Sequence, residues 1–281
     1  MNQRLRLIFG VVLVSLLTAD QAFAWGPTTH VGLANTILGD LGLLPASVAA
    51  ILGKNAFSYL YGSIAADVVF AKRLSRVKQF CHHWSTAFRL VRAAEDDCSK
   101  SFAYGYLSHL AADTVAHGKY VPYQIRACNS TVNFGHLYWE LRADAAECGP
   151  TQQLLAQVLA ANHDVHHWAL AHHMTDTLLS YDFNRALFNR MNALAANDRF
   201  RQTVRLWGQY SRWDLSPELL HGYRGESVDR IVSVLTEGPR SPVLLEDPNG
   251  SSAFMQLRAH RRDQRRRRPI RRRGALSSPS R

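Results

Sequence analysis

The stretch from Ser99 to Gly118, SKSFAYGYLSHLAADTVAHG, decides the fold. Phe102, Tyr106 and Leu110 recur every four residues, the spacing of one helical face. Gly118 fits a C-terminal stop. In the same run His109, Asp113 and His117 also recur every four residues. Each step of four advances about 40° beyond a full turn, so the three span about 80° and share a face. His109 lies seven residues after Phe102, Asp113 seven after Tyr106, and His117 seven after Leu110. Seven residues fall only about 20° short of two turns, so the polar triplet lies on the apolar stripe. Imidazole and carboxylate are zinc donors. Three such groups on a core-facing stripe are costly to bury without a cation.

The helical period continues on both sides. Thr28 or Thr29 can cap a helix to about Asp40, which Gly42 breaks. Pro45 starts a second, short helix. Ser85 to Asp96 reads as a third, with Trp84, Phe88 and Val91 at i, i+4 and i+7. Further helices are expected near 134–147, 151–175, 177–196, 198–212 and 225–237. No run sustains period-two alternation, and no solenoid-type repeat occurs. The expected fold class is all-α, one multi-helix domain over residues 25–240.

The ends differ from this body. Arg4 and Arg6 precede the apolar run Leu7–Leu17, and Ala22-Phe23-Ala24 follows as a cleavage signal. Residues 1–24 therefore read as a signal peptide, and the expected location is secreted or periplasmic. Cleavage would free the α-amine of Trp25 beside its own carbonyl, a chelating pair. Gly238-Pro239 and Pro242 break the helical pattern, so residues 241–281 read as a linker and a disordered Arg-rich tail. Residues 251–281 carry eleven arginines against one acid, Asp263, and hold nearly all of the formal +11 charge. Residues 25–250 are neutral, so the basicity gives no reason to expect a specific nucleic-acid partner. With 47% hydrophobic residues and a single long apolar run, the chain is neither wholly disordered nor a polytopic membrane protein. Four cysteines, Cys81, Cys98, Cys128 and Cys148, allow two disulfides in an oxidising compartment. No G-x-S-x-G elbow or glycine-rich phosphate loop occurs.

Thirteen histidines are the unusual count. His136-Leu-Tyr-Trp-Glu140 repeats the four-residue spacing 19 residues after His117, on the next expected helix. Three pieces lie upstream. Trp25-Gly-Pro-Thr-Thr-His30 follows the cleavage point, Tyr61-Gly-Ser-Ile-Ala-Ala-Asp67 ends in an acid, and Phe80-Cys-His82-His83-Trp84 offers adjacent imidazoles. Of that pair His82 is preferred as the inward one, with His83 as the alternative. His163, His166, His167, His172 and His173 form a second group beside Trp168. With few carboxylates nearby it reads as a polar or interface helix. Tyr59, Tyr61, Trp84, Tyr138 and Trp139 read mainly as core, although an aromatic face would suit a choline headgroup.

The set resembles the zinc-dependent phospholipase C family of bacteria over about residues 25–147. Its most specific motif is Tyr104-Gly-Tyr-Leu-Ser-His109-Leu-Ala-Ala-Asp113 through His117-Gly118. The resemblance implies an all-α domain with a multinuclear cleft for up to three zinc ions. It implies that Trp25 and His30 hold one zinc, that Asp67, His82 and His109 hold a second, and that Asp113 bridges two ions. His117, His136 and Glu140 would hold the third, and Asp67 would be the catalytic base. The implied substrate is a phospholipid at a membrane surface. Trinuclear zinc nucleases resemble the Trp25…His30 opening too, but Glu140 and the short Asp113–His117 run favour the phospholipase.

Overall fold

The helix read from Ser99 begins at Asp97, where Asp96 accepts a hydrogen bond from the Ser99 amide at 2.6 Å. This computed structural model describes residues 25–68, 81–173 and 180–267. Among them the elements are α1 (Pro27–Gly39), α2 (Ala46–Lys54), α3 (Ala56–Ala65), α4 (Trp84–Ala93), α5 (Asp97–Val115) and α6 (Val121–Cys128). They continue with α7 (Val132–Ala145), α8 (Gly149–Ala160), α9 (Asp164–His173), α10 (Tyr181–Ala195), α11 (Asp198–Gln209), α12 (Pro217–Glu237) and α13 (Ser251–Arg267). No strand occurs among the described residues, so the all-α reading holds. The expected signal peptide lies outside them.

Helix α5 is the axis of the molecule. It is buried almost all round from Ser101 to Val115, with α3, α4 and α12 packed about it. Its tightest crossing is with α3. A Cβ on Gly62 would overlap the Phe102 carbonyl oxygen, and one on Gly105 would overlap that of Tyr59. Two glycines thus let the backbones touch, a contact no larger residue permits. Trp25, fully buried, stacks on Tyr120 with ring centroids 4.7 Å apart and donates Nε1–H to Ser227 Oγ at 3.2 Å. That anchors the first described residue between the π turn and α12.

Several boundaries depart from the sequence reading. Gly118 does not stop α5. A π-helical turn, Ala116–Tyr120, carries the chain into α6, and the stop is Asn129, left-handed at φ 51°. Pro122 has no N–H to give back to residue 118, and the wider turn absorbs the register change. The expected helix 151–175 is two, parted by extended backbone at Ala161. Helix α12 starts two turns earlier than expected, with Ser216 Oγ accepting from the Leu219 amide at 3.1 Å. Helices α3 and α6 were not anticipated.

The largest correction is at the C-terminus. Residues 242–245 form a 3-10 turn and residues 251–267 form α13, where a linker and a disordered tail were expected. Phe254 and Leu257, one turn apart, are buried against neighbouring helices. Arginine composition hid this pair. The expected disulfides are absent among the described residues. Cys98, Cys128 and Cys148 are free thiols, bonded to Ser58 Oγ (3.1 Å), Trp139 Nε1 (3.4 Å) and Thr151 Oγ1 (3.0 Å).

Candidate metal centre

Five pieces of chain converge at α5. His30 comes from α1, Asp67 follows the end of α3, and His82 precedes α4. His109 and Asp113 come from α5 itself, with His117 in the π turn. His136 and Glu140 come from α7, one turn apart. All are buried. Asp113 is the hub. Its Oδ1 lies 3.3 Å from His30 Nε2, and its Oδ2 lies 3.1 Å from His109 Nε2, 3.4 Å from His82 Nε2 and 3.8 Å from His117 Nε2. Asp67 faces the same space, with Oδ1 3.3 Å from His82 Nε2 and Oδ2 3.8 Å from His109 Nε2. The His117 and His136 rings meet edge to face at 5.1 Å. His30, His109 and Asp113 form one group with donor atoms within 4.8 Å of one another, and Asp67, His82 and His109 form a second.

The α3–α5 crossing sets the chemistry of His109. Its Nδ1 lies 2.9 Å from the Ser63 carbonyl, which can only accept, so Nδ1 carries the proton. The lone pair of Nε2 then points into the cluster, where His82 Nε2 lies at 3.1 Å. Two imidazole nitrogens facing each other need a shared proton or a cation between them. His30 Nε2, both Asp113 oxygens, both His117 nitrogens and His136 Nε2 are buried without a hydrogen-bond partner. Native interiors rarely leave so many polar atoms unpaired, and a divalent ion would satisfy them together. The donors are the nitrogens and carboxylate oxygens that zinc prefers, so the residues fit zinc.

Electrostatics agree with that fit. Burial lowers His30, brings His117 down to about 4 and lowers His136 well below its ordinary value, so all three imidazoles are neutral near pH 7. Burial also pulls on His109, but Asp113 and Asp67 outweigh it and leave its pKa raised. Asp113 is held well below the usual carboxylate range: burial opposes this, and the nearby imidazoles of His109, His30 and His82 override it. Glu140 is pushed well above its ordinary range by burial and by the facing Asp67 and Asp144.

Of the two adjacent imidazoles, His82 turns inward and His83 is exposed. Trp25 contributes its side chain to the core, and the next residue, Gly26, accepts the His30 amide at 3.0 Å. Sequence reasoning missed several supporting groups. Asp144 accepts from the Thr29 amide at 2.7 Å and from Thr29 Oγ1 at 3.1 Å, fixing the first turn of α1. It stands four residues after Glu140, so the His136–Glu140 spacing continued would have found it. The Ser63 carbonyl, the Asn249 amide on the His82 carbonyl (3.1 Å), and Phe254 against both His117 and His136 had no local signal.

The family described as zinc dependent phospholipase C matches residues 29–197, more than half of the chain. The chain belongs to the zinc-dependent phospholipase C family. The matched span holds every clustered donor from His30 to Glu140, and it ends before α11, α12 and α13. No curated protein and no solved structure matches the chain. Zinc-dependent phospholipases C are hydrolases that need the metal, and the donor set here suits that requirement. Among the described residues no helix is long and apolar enough to cross a membrane.

The second histidine group packs apart from this centre, around Tyr61. His163 stacks on the Tyr61 ring at 3.7 Å, and Tyr61 Oη lies 2.9 Å from His167 Nε2. His167 Nδ1 meets Tyr181 Oη at 2.6 Å, and His166 Nε2 meets Ser58 Oγ at 3.0 Å. These are hydrogen-bonded packing histidines at a helix interface, as expected. The side chains of His172 and His173 lie outside the described residues.

Proposed function

We propose that this phospholipase C family member is an exported enzyme that hydrolyses phospholipids to diacylglycerol and a phosphorylated headgroup. One observation carries the reading: three carboxylates and five imidazoles gather in a buried cluster, where six polar atoms on His30, Asp113, His117 and His136 have no hydrogen-bond partner. His30 and Asp113 would hold one zinc, joined by the Trp25 amine and carbonyl after removal of residues 1–24. Asp67, His82 and His109 would hold a second, sharing Asp113, and His117, His136 and Glu140 a third. Bound zinc supplies a Lewis acid for phosphoryl oxygen and a water acidified toward a pKa of about 7.

The chain's own residues do the rest. Ser63 locks the His109 tautomer through its carbonyl. Asp113, 1% exposed, is enclosed by imidazoles and serves as a ligand, whereas Asp67, 7% exposed, opens further toward solvent. Asp67 takes the proton from the attacking water. The water oxygen bonds to phosphorus, the bond from phosphorus to the glyceryl oxygen breaks, that oxygen takes a proton from solvent and leaves as the hydroxyl of diacylglycerol, and Asp67 returns its proton to solvent. No serine or cysteine nucleophile is needed, since water supplies the oxygen. Export is supported by the Arg4–Ala24 pattern.

The test is an assay of zinc-loaded mature protein on phosphatidylcholine and on single-stranded DNA, with N-terminal sequencing and metal analysis. Diacylglycerol release, a Trp25 terminus and bound zinc are expected. DNA cleavage without lipid cleavage, or protein holding no transition metal, would overturn the proposal.

A further inference from the structure

Helix α13 lies beyond the span that the family matches, and its two ends differ in kind. The first turn is built into the metal centre. Phe254 sits 5.9 Å from the His117 ring and 5.4 Å from the His136 ring, centroid to centroid. Leu257 is 1% exposed. The approach is also fixed. Trp84 Nε1 donates to the Glu246 carbonyl at 3.0 Å, Asn249 Nδ2 donates to the His82 carbonyl, and Asp247 accepts from the Ser251 amide at 2.9 Å. Gly250, at φ 58°, presses on the His117 backbone where a Cβ would collide. The strap therefore touches three of the clustered donors.

The rest of the helix is cationic. Its sequence holds Arg258, Arg261, Arg262, Arg265, Arg266 and Arg267 and a single acid, Asp263. Met255, 65% exposed, and the exposed Arg258 and Arg262 stand at i, i+3 and i+7. Arg261 reaches the Asn129 carbonyl at 3.5 Å and ties the helix to the loop before α7. The Arg-rich sequence runs on through Arg268 and Arg271–Arg273. A neutral body with its charge gathered in residues 251–281 is built to meet an anionic surface.

We propose that α13 is the element by which the protein docks on an anionic phospholipid surface, holding that surface beside the His117–His136 end of the metal centre. The inference rests on the phospholipase reading and names the surface on which that enzyme works. An exposed methionine heading a stripe of arginines suits the boundary between headgroups and acyl chains. A nucleic-acid backbone would use the arginines but has no call on the methionine.

The zinc-loaded mature protein is sedimented with phosphatidylcholine vesicles, plain or with phosphatidylglycerol as about a third of the lipid. Binding to the anionic vesicles is expected to be the tighter and to weaken as salt rises. Each arginine near an anionic leaflet contributes about fivefold, so Arg258→Ala with Arg262→Ala should weaken binding about 30-fold. Their exposure predicts an unchanged melting temperature. Equal sedimentation on both vesicles, full-strength binding by the double variant, or tighter binding to a single-stranded oligonucleotide than to anionic lipid overturns the proposal. Hydrolysis of a short-chain phosphatidylcholine dissolved as monomers separates the two ideas. Vesicle binding through α13 without hydrolysis of dissolved or vesicle lipid would sink the phospholipase reading alone. Hydrolysis without preference for anionic vesicles would sink the docking alone.

Discussion

Gly105→Ala tests whether the touching backbones of α3 and α5 build the metal centre. The added Cβ would overlap the Tyr59 carbonyl oxygen, and Gly62 sits directly across. Neither neighbour is the tip of a flexible side chain, so the helices must part. Overpacking of this kind costs about 1–3 kcal/mol, and against backbone the upper end applies. Alanine's helix propensity returns about 1 kcal/mol, leaving a net loss of about 2 kcal/mol. For a domain of this size that lowers the melting temperature by about 4–8 °C. Parting the helices also stretches the 2.9 Å contact between His109 Nδ1 and the Ser63 carbonyl. Loss of such a supporting bond weakens metal binding about 10- to 100-fold. Gly222→Ala is the matched control. Gly222 is exposed within α12 with nothing within 4 Å of its Cβ position, so alanine should add about 0.5–1 kcal/mol and leave zinc binding alone. Thermal melts and a zinc competition titration read both effects. A Gly105→Ala protein that melts at or above the wild type and binds zinc as tightly would refute the idea that the glycine crossing positions His109.

Removing zinc with a chelator should abolish hydrolysis and lower the melting temperature together, since the buried donors then lose their cation; an unchanged melt would separate metal from fold. Asp67→Asn should cut diacylglycerol release at least about 100-fold, the range of a lost general base, and a smaller loss would assign that role elsewhere. Phe254→Ala should destabilise by about 3 kcal/mol in a urea titration, because it empties a buried aromatic site against His117 and His136. Burial brings His166 and His167 down to about 4 in the fold, against about 6.5 when unfolded. Neutral in the native state, they contribute stability that is complete above about pH 6.5 and drains away as pH falls toward 4. By pH 5 the pair should account for about 2 kcal/mol, roughly half the full linkage value once screening is allowed for. Urea midpoints at pH 7.5 and pH 5, compared with a His166→Gln/His167→Gln protein, would show it, and equal pH dependence in the two proteins would rule it out.

Much of the site was legible because spacing on a helix is geometry. His109, Asp113 and His117 had to share a face once the Phe102–Tyr106–Leu110 period marked a helix, and His136 with Glu140 followed the same rule. What spacing cannot show is how helices meet. Gly62 and Gly105 look unremarkable in sequence, yet their crossing delivers the Ser63 carbonyl to His109. Adjacent His82 and His83 have equal local credentials, and only tertiary packing turns one inward. The π turn at Ala116–Tyr120 follows from Pro122, a residue beyond the motif. Helix α13 was misread because eleven arginines outweighed Phe254 and Leu257, whose value appears only when α6 and α7 stand beside them.

The same geometry explains why the pocket can be buried and still accept a cation. His30, His117 and His136 are neutral before any metal arrives, because burial has already displaced their protons. Asp113 is ionised for the opposite reason, its charge met by the surrounding imidazoles. These four offer lone pairs without further ionisation. His109 and Glu140 shift the other way: Asp113 and Asp67 outweigh burial and raise His109, and burial raises Glu140. A proton held by either group opposes an entering divalent ion. Metal affinity must then rise with pH, since each displaced proton opposes binding in acid. A core that leaves six buried polar atoms of His30, Asp113, His117 and His136 without partners is arranged to receive a cation, whereas a purely structural polar cluster would have paired them internally.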